Sequence, residues 1–545
     1  MPTITLDGQA LPYEGKKTIL QVAIEHGLEI PHYCYHPGLS IVASCRICLA
    51  EVAQPNPRIG GKLELIPKLL PTCQTPASDG MVVYTKSPKS VANQKAVMEY
   101  LLINHPLDCP VCDQAGECSL QDYSYQYGRT ESRFEEDKIK QPVKDIGPHV
   151  KLYSDRCIMC SRCVRFTKEV TGTGELGIFG RGSKEQIDIF PGRALQNELS
   201  GNVVDICPVG ALLDKDFLFT QRVWFLTETP SIDGLTAGGD NITVHHNEGK
   251  VYRVKPRANA QVNQWWISDE IRYGWKFVHS EDRLKQPMRQ QYGSQVQCDW
   301  ARAYEEVLSI FKAVTGRGKR TALLLSPMLT CEDAYLLCQA VRAMDSQAVL
   351  GIGPVPKQGE DKTFPGGYKV RTEKAPNARG VLRVIESFVG PGNAYDYTKM
   401  LTTLKDATWN IEALVLTGNY PSKWTTKDLT AALAKKQVIL LDTLPNDVSP
   451  KADLLLPTAT WVEKAGTFEN DQNRLQCFAQ AITPLEITRS EAQIAMDLLA
   501  LARQLPRPMY DPVVIRKQMG GVFISQVHEP AGARTGEMDM QFVEL

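Results

Sequence analysis

The spacing of the cysteines constrains this chain more than any other feature. Eleven of its 15 cysteines lie before residue 208, and with one histidine they sort into three groups of four candidate metal ligands. Thiolates are soft donors that stabilise iron held by sulfide, and a cluster needs about four ligands to close its terminal iron sites. The front of the chain is therefore predicted to fold around three clusters. The first set is Cys34, Cys45, Cys48 and Cys73, the second is His105, Cys109, Cys112 and Cys118, and the third is Cys157, Cys160, Cys163 and Cys207.

Length and composition exclude several classes of function. A chain of 545 residues is long enough for three or four domains. Its 61 basic and 62 acidic residues leave no positive excess for nucleic acid. No run approaches the roughly 18 apolar residues of a membrane helix. The first residues enter a strand pattern without the features of a signal or transit peptide, so we expect a reducing bacterial cytoplasm and metal ligands instead of disulfides.

The first part of the chain has the pattern of a small ferredoxin-like domain. Asp7-Gly8 separates two short strand-like runs and predicts a tight hairpin. Thr18 and Gln21 form a capping box, which predicts a helix over 19–26. A further strand is expected at 81–84. Hairpin, helix, cysteine-bearing loop and strand together define a domain that ends near residue 88.

The predicted secondary structure changes twice beyond residue 88. A helical stripe is predicted over 91–104 and ends at Pro106, leaving His105 at the helix exit. The chain is loop-rich from about 105 to 215, as expected where clusters organise the backbone. From about 220, strand-like and helical runs alternate in an α/β pattern. The segment 351–380 is expected to be an exposed loop. The last twenty residues are equally compatible with an extension over a neighbour and with disorder.

The three ligand sets differ in how specific their spacing is. The first, C-x10-C-x2-C-x24-C, suits a two-iron cluster, with a zinc ribbon as the alternative. The second mixes one imidazole with three thiolates, which is also a common pattern for structural zinc. The third, C-x2-C-x2-C followed by a distant Cys-Pro pair, is typical of a four-iron cubane. A neutral histidine removes one negative charge from the second set, which by itself favours the reduced state.

Three segments carry a resemblance to a known family. They closely resemble the large iron–sulfur (G) subunits of bacterial NADH:quinone oxidoreductases, respiratory complex I, and the likeness is strong to about residue 285 and weaker beyond it. The segments are His105-Pro-Leu-Asp-Cys-Pro-Val-Cys-Asp-Gln-Ala-Gly-Glu-Cys118, Arg156-Cys-Ile-Met-Cys-Ser-Arg-Cys-Val-Arg-Phe166 and Gly201-Asn-Val-Val-Asp-Ile-Cys-Pro-Val-Gly-Ala-Leu212.

The resemblance implies an α+β multidomain fold with one [2Fe–2S] cluster on the first set and a [4Fe–4S] cluster on each of the other two. The implied domains are an N-terminal β-grasp [2Fe–2S] ferredoxin domain over 1–88 and a loop-rich His/Cys cluster segment over 89–148. A [4Fe–4S] ferredoxin-like domain follows over 149–220, and a degenerate α/β scaffold like the molybdopterin oxidoreductases over 221–545. The first set departs from the family in its wide final gap, where 54–66 is expected to form an inserted surface hairpin.

The back half is expected to hold no cofactor. In related molybdenum enzymes a further cubane follows a Thr-Pro-Ser-Ile motif, but here Asp233, Thr236, Asp240 and Ser268 stand at its ligand positions. Oxygen ligands do not suit such a cluster, so a fourth cluster is expected to be absent. The segment 457–470 resembles a loop of these enzymes and is expected to be retained scaffold. The remaining cysteines are expected to be buried spectators, namely Cys298, Cys331, Cys338 and Cys477.

The resemblance implies a function in one-electron relay from a flavin subunit that oxidises NADH towards quinone. The chain itself is expected to have no catalytic residue and no NADH site, because Gly351-Ile352-Gly353-Pro354 is more typical of an ordinary turn than of a nucleotide loop. Arg162 and Arg165 flank the third set, where cluster or interface contacts and simple solvation are equally plausible.

The implied partners are the flavin subunit, a thioredoxin-like [2Fe–2S] subunit, an 8Fe ferredoxin-like subunit and the quinone-site subunits. The expected location is the cytoplasmic face of the bacterial inner membrane, with membrane contact only through the complex and no contact with nucleic acid. The alternative is the iron–sulfur subunit of a formate dehydrogenase or of an NAD-reducing hydrogenase, which share the same front modules.

Overall fold

The computed structural model describes residues 1–530, and within them the chain forms two compact units. The first comprises Met1–Leu226 with the short segment Phe364–Tyr368, and the second comprises Thr227–Thr363 and the chain from Lys369 onward. Of the last twenty residues, those beyond 530 lie outside the described part, so the expectation for them stays a prediction. The division of the chain into four domains also stays a prediction.

The first unit begins with the predicted hairpin and helix. Asp7 and Gly8 both have positive φ angles, 47° and 92°, and connect the first two strands. The capping box of Thr18 and Gln21 is present at the start of the first helix. The elements are β1 (Thr3–Leu6), β2 (Gln9–Pro12), α1 (Ile19–Glu25), β3 (Leu49–Asn56), β4 (Lys62–Leu65), β5 (Leu70–Pro71) and β6 (Val82–Tyr84).

These strands form one mixed sheet in the order β2-β1-β6-β3-β4, in which β5 also pairs with β3. The first strand pairs antiparallel with β2 and parallel with β6, and the buried residues of α1 and of β1, β3 and β6 share one apolar core. The expected insertion is a β3–β4 hairpin in which Gln54 pairs with Glu64. Every residue of β4 is exposed, and of the insertion only Ile66 at its end packs against this core.

The rest of the first unit is rich in loops, as predicted. One three-stranded sheet has the order β11-β8-β7, and β9 and β10 form a separate hairpin. The elements are α2 (Pro88–Leu102), α3 (Ser119–Tyr127), β7 (Val143–Asp145), β8 (Val150–Tyr153), α4 (Arg162–Arg165), β9 (Leu176–Phe179), β10 (Gln186–Ile189), α5 (Asn202–Ile206) and β11 (Leu212–Asp214), with a π-helical turn over Phe166–Val170.

The second unit contains the predicted α/β layers. Its main sheet has the order β16-β15-β23-β22-β21-β17-β18, and the five strands from β23 to β18 are parallel. A three-stranded antiparallel sheet precedes it, in the order β12-β13-β14. The strands are β12 (Thr227–Ile232), β13 (Asn241–Asn247), β14 (Lys250–Pro256), β15 (Met288–Gln291), β16 (Ser294–Gln297), β17 (Arg320–Leu325), β18 (Val349–Ile352), β19 (Lys362–Thr363), β20 (Lys369–Val370), β21 (Ile411–Thr417), β22 (Gln437–Asp442), β23 (Leu454–Pro457), β24 (Gly466–Glu469) and β25 (Leu475–Phe478).

Helices cover both faces of the main sheet, since two separate apolar cores alternate along its strands. The helices are α6 (Asp269–Tyr273), α7 (Trp300–Gly316), α8 (Cys331–Met344), α9 (Ala378–Val389), α10 (Tyr397–Lys405), α11 (Lys427–Ala432), α12 (Glu491–Ala502), α13 (Pro512–Met519) and α14 (Val522–Ser525). The predicted fold class, ferredoxin-type front domains followed by an α/β back half, is confirmed. Within residues 1–530 no helix has the length and apolar character needed to cross a bilayer.

One expectation about the back half was wrong. The segment 351–380 is exposed only around its middle, and both of its ends are buried. Gly351 and Ile352 belong to the buried strand β18 instead of a turn. A side chain at Gly351 would clash with Met400 and with the Tyr395 carbonyl, so this glycine permits close packing in the sheet. The glycines of this segment therefore belong partly to an exposed loop and partly, at Gly351, to a closely packed strand.

Candidate iron–sulfur centres

The first ligand set lies in the loop between α1 and β3 and in the segment after β5. Cys34, Cys48 and Cys73 are buried, and Cys45 is half-buried. The thiols of Cys45 and Cys73 hydrogen-bond to the sulfur of Cys34, which lowers its pKa, and a contact with Cys73 lowers the pKa of Cys48 to about 7. The structure thus brings all four predicted ligands into one connected group of sulfurs.

The second set follows α2, whose end is held by a lysine from further along the chain. Lys138 donates to the carbonyls of Leu102 and Ile103 at 2.8 and 2.7 Å, just before His105. Burial and the nearby cations Arg156 and Lys138 lower the pKa of His105 to about 4, so the imidazole is neutral, as a metal ligand must be.

The three cysteines of the second set differ in their exposure. Cys112 and Cys118 are buried, whereas Cys109 is exposed. Burial raises the pKa of Cys112, and the charges of Cys109 and Arg156 act on the same thiol. Burial likewise raises the pKa of Cys118 to about 12, with a smaller contribution from Cys112. The three thiols are therefore close enough to influence each other's charge.

The third set surrounds a single cavity. Its four cysteines line one mainly apolar cavity that encloses about 350 Å³ of space between atoms, part of it open to solvent. Met159 and Ser161 adopt left-handed backbone conformations, φ 54° and 59°, which let the short C-x2-C-x2-C segment wrap around the cavity. Cys163 lies in α4, and Cys207 comes directly after α5.

The three sets meet in one core. A single cluster of packed residues contains ligands from every set, Cys34 and Cys45 from the first, Cys118 from the second and Cys157, Cys160 and Cys207 from the third. Tyr33, Met98 and Val209 are among the apolar residues that fill the space between them. Sequence spacing predicted the members of each set but gave no information about this shared core.

The second and third sets are joined by a short stretch of backbone. Cys207 is a ligand candidate of the third set, and three residues later Gly210 lies against Cys112 so closely that a β-carbon there would be 2.2 Å from its sulfur. Three residues span at most about 11 Å. A glycine at position 210 is thus needed for the backbone to approach the Cys112 sulfur. The sequence after the Cys-Pro pair did not predict this role.

Buried thiolates need a positive partner in this environment. Burial raises the pKa of Cys157 to about 12 and that of Cys207 to about 11, because a lone thiolate is poorly solvated there. Iron removes this penalty by binding the deprotonated sulfur, so the donor set suits a cluster. Within residues 1–530 no three His, Cys, Asp or Glu side chains converge on the position of a single metal ion. Ligands of a cluster bind different irons and need not converge in that way.

Arginines are the functional residues whose role the sequence left open. Arg156 is buried, donates to Asp108 at 2.9 Å and lies over the Tyr153 ring beside the second set. Arg162 and Arg165 donate to backbone carbonyls in the loops of the first and third sets. Of the two alternatives left open for these residues, the hydrogen bonds therefore disfavour simple solvation. Their spacing within the third motif was the only available signal.

In the second unit, the oxygen-bearing residues that the sequence comparison aligns with the cluster ligands of molybdenum enzymes are buried and bonded within the protein. Asp233 accepts from the backbone N–H groups of Leu235 and Thr236 at 2.8 and 3.1 Å. Its own N–H donates to the Asp240 carbonyl at 2.8 Å. Ser268 caps α6 by accepting from the N–H of Ile271. Burial, followed by the charge of Asp240, raises the pKa of Asp233 to about 8.

The loop 457–470 packs its charged groups against neighbours in the same unit. Lys464 bridges Asp333 and Glu491 at 2.8 and 2.7 Å, and Arg283 forms a two-pronged ion pair with Glu463 at 2.8 and 2.9 Å. Thr467 binds Glu332 through both its N–H and its hydroxyl. Of the remaining cysteines, Cys331, Cys338 and Cys477 are buried as expected, whereas Cys298 is only half-buried.

Five family models match successive parts of the chain. They describe a 2Fe-2S iron–sulfur cluster binding domain over 1–88, the NADH-ubiquinone oxidoreductase-G iron–sulfur binding region over 94–133 and the ferredoxin-like domain of NADH-quinone oxidoreductase subunit 3 over 147–213. An NDSU1/NuoG-like 4Fe-4S domain matches 226–276, and molybdopterin oxidoreductase matches 388–501. The sequence contains no cysteine within 226–276.

Curated relatives confirm the resemblance to the large iron–sulfur subunits. The G subunit of NADH-quinone oxidoreductase from Rickettsia felis is 36% identical over 346 residues, 64% of this chain and 50% of that protein. The 78 kDa mitochondrial subunit of NADH-ubiquinone oxidoreductase from Neurospora crassa is 38% identical over 63% of this chain and 45% of that protein. The chain thus spans about half the length of the curated relatives it matches.

The likeness to a solved structure is weaker. The NAD+-reducing [NiFe]-hydrogenase in its H2-reduced state shares 30% sequence identity over 41% of this chain and 91% of that chain, with a TM-score of 0.35.

Proposed function

We propose that this chain is an electron-transfer subunit of an NADH:quinone oxidoreductase, related to the G subunits it resembles. Cys34, Cys45, Cys48 and Cys73 would hold a [2Fe–2S] cluster. His105, Cys109, Cys112 and Cys118 would hold one [4Fe–4S] cluster, and Cys157, Cys160, Cys163 and Cys207 another. When bound, such clusters accept and release single electrons.

The observation that carries this proposal is the shared core of the three sets. Ligands from all of them pack in one cluster of residues, and Gly210 brings the segment after Cys207 against Cys112. The residues between the sets exclude water and fix their spacing, which is the protein's part in any electron relay. Cys109 is exposed, which supports exchange of electrons between the second set and a partner.

The finer assignments follow from the resemblance and belong to this proposal. The partners are a flavin subunit that oxidises NADH, a thioredoxin-like [2Fe–2S] subunit, an 8Fe ferredoxin-like subunit and the quinone-site subunits. The chain itself binds neither NADH nor quinone. It lies at the cytoplasmic face of the bacterial inner membrane as a peripheral subunit.

We also propose that the second unit holds neither a fourth cluster nor a molybdenum cofactor. The residues at the fourth-cluster positions are oxygen donors, and Asp233 binds neighbouring backbone instead of a metal. The charged groups Lys464 and Glu463 are likewise paired with other side chains. These contacts support a scaffold role for the back half.

Metal content and spectroscopy test the function directly. The anaerobically purified and reconstituted full chain should hold about ten irons, as two plus four plus four requires. Low-temperature electron paramagnetic resonance during a redox titration should resolve three reducible centres. A content near two or three zinc ions with no paramagnetic centre would overturn the proposal. Stoichiometric molybdenum would instead favour the formate dehydrogenase alternative.

A further inference from the structure

A single guanidinium group links the first ligand set to the third. Nη2 of Arg165 donates to the carbonyl of Cys34 and, at 3.4 Å, to the carbonyl of Cys160. Nη1 donates to the carbonyl of Ser40, in the same loop as Cys34. The side chain is only 8% exposed. One arginine therefore ties together the backbone of ligand residues from two different sets.

Arg162 makes a parallel connection. Its Nη2 donates to the carbonyl of Tyr35 at 2.5 Å, next to Cys34, and its Nη1 donates to the carbonyl of Ile206 at 3.1 Å, next to Cys207. The Nε atom is buried and has no hydrogen-bond partner within residues 1–530. The side chain also lines the cavity that the four cysteines of the third set surround. An unused donor thus lies in a buried position beside the candidate cluster site.

The electrostatics of these two residues need an anion nearby. Neither guanidinium forms an ion pair with a carboxylate in the described part of the chain, although a buried cation without a counter-charge is costly. Arg162 lines the cavity that the four cysteines of the third set surround, so an anionic cluster bound there would supply the negative charge.

We propose that Arg162 and Arg165 are positioning residues that clamp the first and third sets together and raise the reduction potential of the cluster on the third set. This inference rests on the proposed function, because it requires that clusters be bound. Reduction adds negative charge, so a fixed neighbouring cation stabilises the reduced form, and a hydrogen bond from Arg162 Nε acts in the same direction. The arginines themselves exchange neither protons nor electrons.

The test is a redox titration of the full chain with its clusters bound, read by electron paramagnetic resonance. Arg162→Gln removes the charge and most of the donors, and the third-set potential should fall by at least the equivalent of a tenfold change in the one-electron equilibrium, about 59 mV. Arg162→Lys keeps the charge and should shift the potential less. Arg165→Gln should move the signals of both the first and the third set, because Arg165 binds the backbone of both.

Two controls accompany these variants. Lys168→Gln removes one positive charge from an exposed position on the π-helical turn that follows α4, and should move the potential by less than a third as much. The second set is an internal reference, because the hydrogen bonds of Arg162 and Arg165 go to the loops of the first and third sets.

The outcomes separate this inference from the proposed function. If the unsubstituted chain assembles no cluster, the proposed function fails. If its clusters assemble but Arg162→Gln leaves the third-set potential unchanged, or Lys168→Gln shifts it equally, only the inference fails. If the Arg162→Gln variant does not assemble the third cluster, the Arg162→Lys variant decides whether the positive charge is needed. A cluster that assembles in Arg162→Lys with nearly the original potential supports the inference. Loss of the cluster in Arg162→Lys as well would mean that Arg162 has only a structural role.

Discussion

At the scale of single residues, a residue other than cysteine at a ligand position has opposite consequences in the two units. In the first unit, His105 replaces a thiolate among cysteines, and its lowered pKa keeps the imidazole neutral and able to bind metal. In the second unit, Asp233, Thr236 and Ser268 stand at cluster positions without any cysteine nearby in sequence. They satisfy backbone N–H groups, which is what short oxygen-bearing side chains do well in turns and caps.

Asp233 gives a prediction about pH. Its folded-state pKa, about 8, lies above the ordinary value, so its stabilising contribution is fully present below about pH 4 and is lost as pH rises through 8. Asp233→Asn cannot ionise. Relative to the unsubstituted chain, the variant should gain about 1–3 kcal/mol of stability between pH 5 and pH 8.5. Denaturant unfolding at both pH values measures this difference.

A surface substitution provides the control for this pH effect. Asp282→Asn, at an exposed position in the same unit, should leave the difference between the two pH values unchanged. Equal pH dependence in the unsubstituted chain and in Asp233→Asn would show that Asp233 is ionised throughout.

At the scale of elements, the sequence predicted correctly those structures that depend on interactions between residues close together in the chain. The Asp7-Gly8 turn, the Thr18 capping box and the hairpin at 54–66 lie where they were predicted. Each depends on backbone angles or hydrogen bonds within a few residues. The segment 351–380 was predicted incorrectly because the burial of its ends depends on neighbours such as Met400, which lie far away in sequence.

The inserted hairpin should be dispensable for the first cluster. Replacing residues 55–63 by Asn-Gly joins Gln54 to Glu64, which are direct partners in the ladder, through a two-residue turn. The removed residues contain no ligand and are exposed apart from the half-buried Asn56, so the iron content and the first-set spectrum should not change. Cys73→Ser, which should abolish that spectrum, shows that the measurement can detect a loss. Disappearance of the first-set signal in the shortened chain would mean that the hairpin supports the loop.

At the scale of the whole molecule, the first unit gathers ligands that are as far apart in sequence as Cys34 and Cys207 into one core. The second unit is an ordinary α/β layer structure whose buried ion pairs are paired internally. All twelve candidate ligands lie in the first unit, which supports the proposal of a relay in that unit and a scaffold in the other.

Cys207→Ala tests the relay in the assembled complex. The third-set signal should vanish while the first and second remain, because the other sets keep all their ligands. NADH oxidation by an artificial acceptor at the flavin should persist, and electron flow from NADH to quinone should stop. Unimpaired quinone reduction would place the third set outside the route, whereas loss of both activities would indicate failed assembly.

The sequence alone predicted the three ligand sets, the first hairpin and helix, and the α/β pattern of the back half, because ligand spacing, capping and turns are short-range properties. Only the tertiary structure decided that the sets share one core, that Gly210 lies against Cys112 and that Arg162 and Arg165 join the first and third loops. Most of these contacts connect residues that are far apart in sequence, such as Arg165 and Cys34, which are 131 positions apart. The partners of the two arginines are backbone carbonyls, which every residue has and which therefore leave no trace in the sequence.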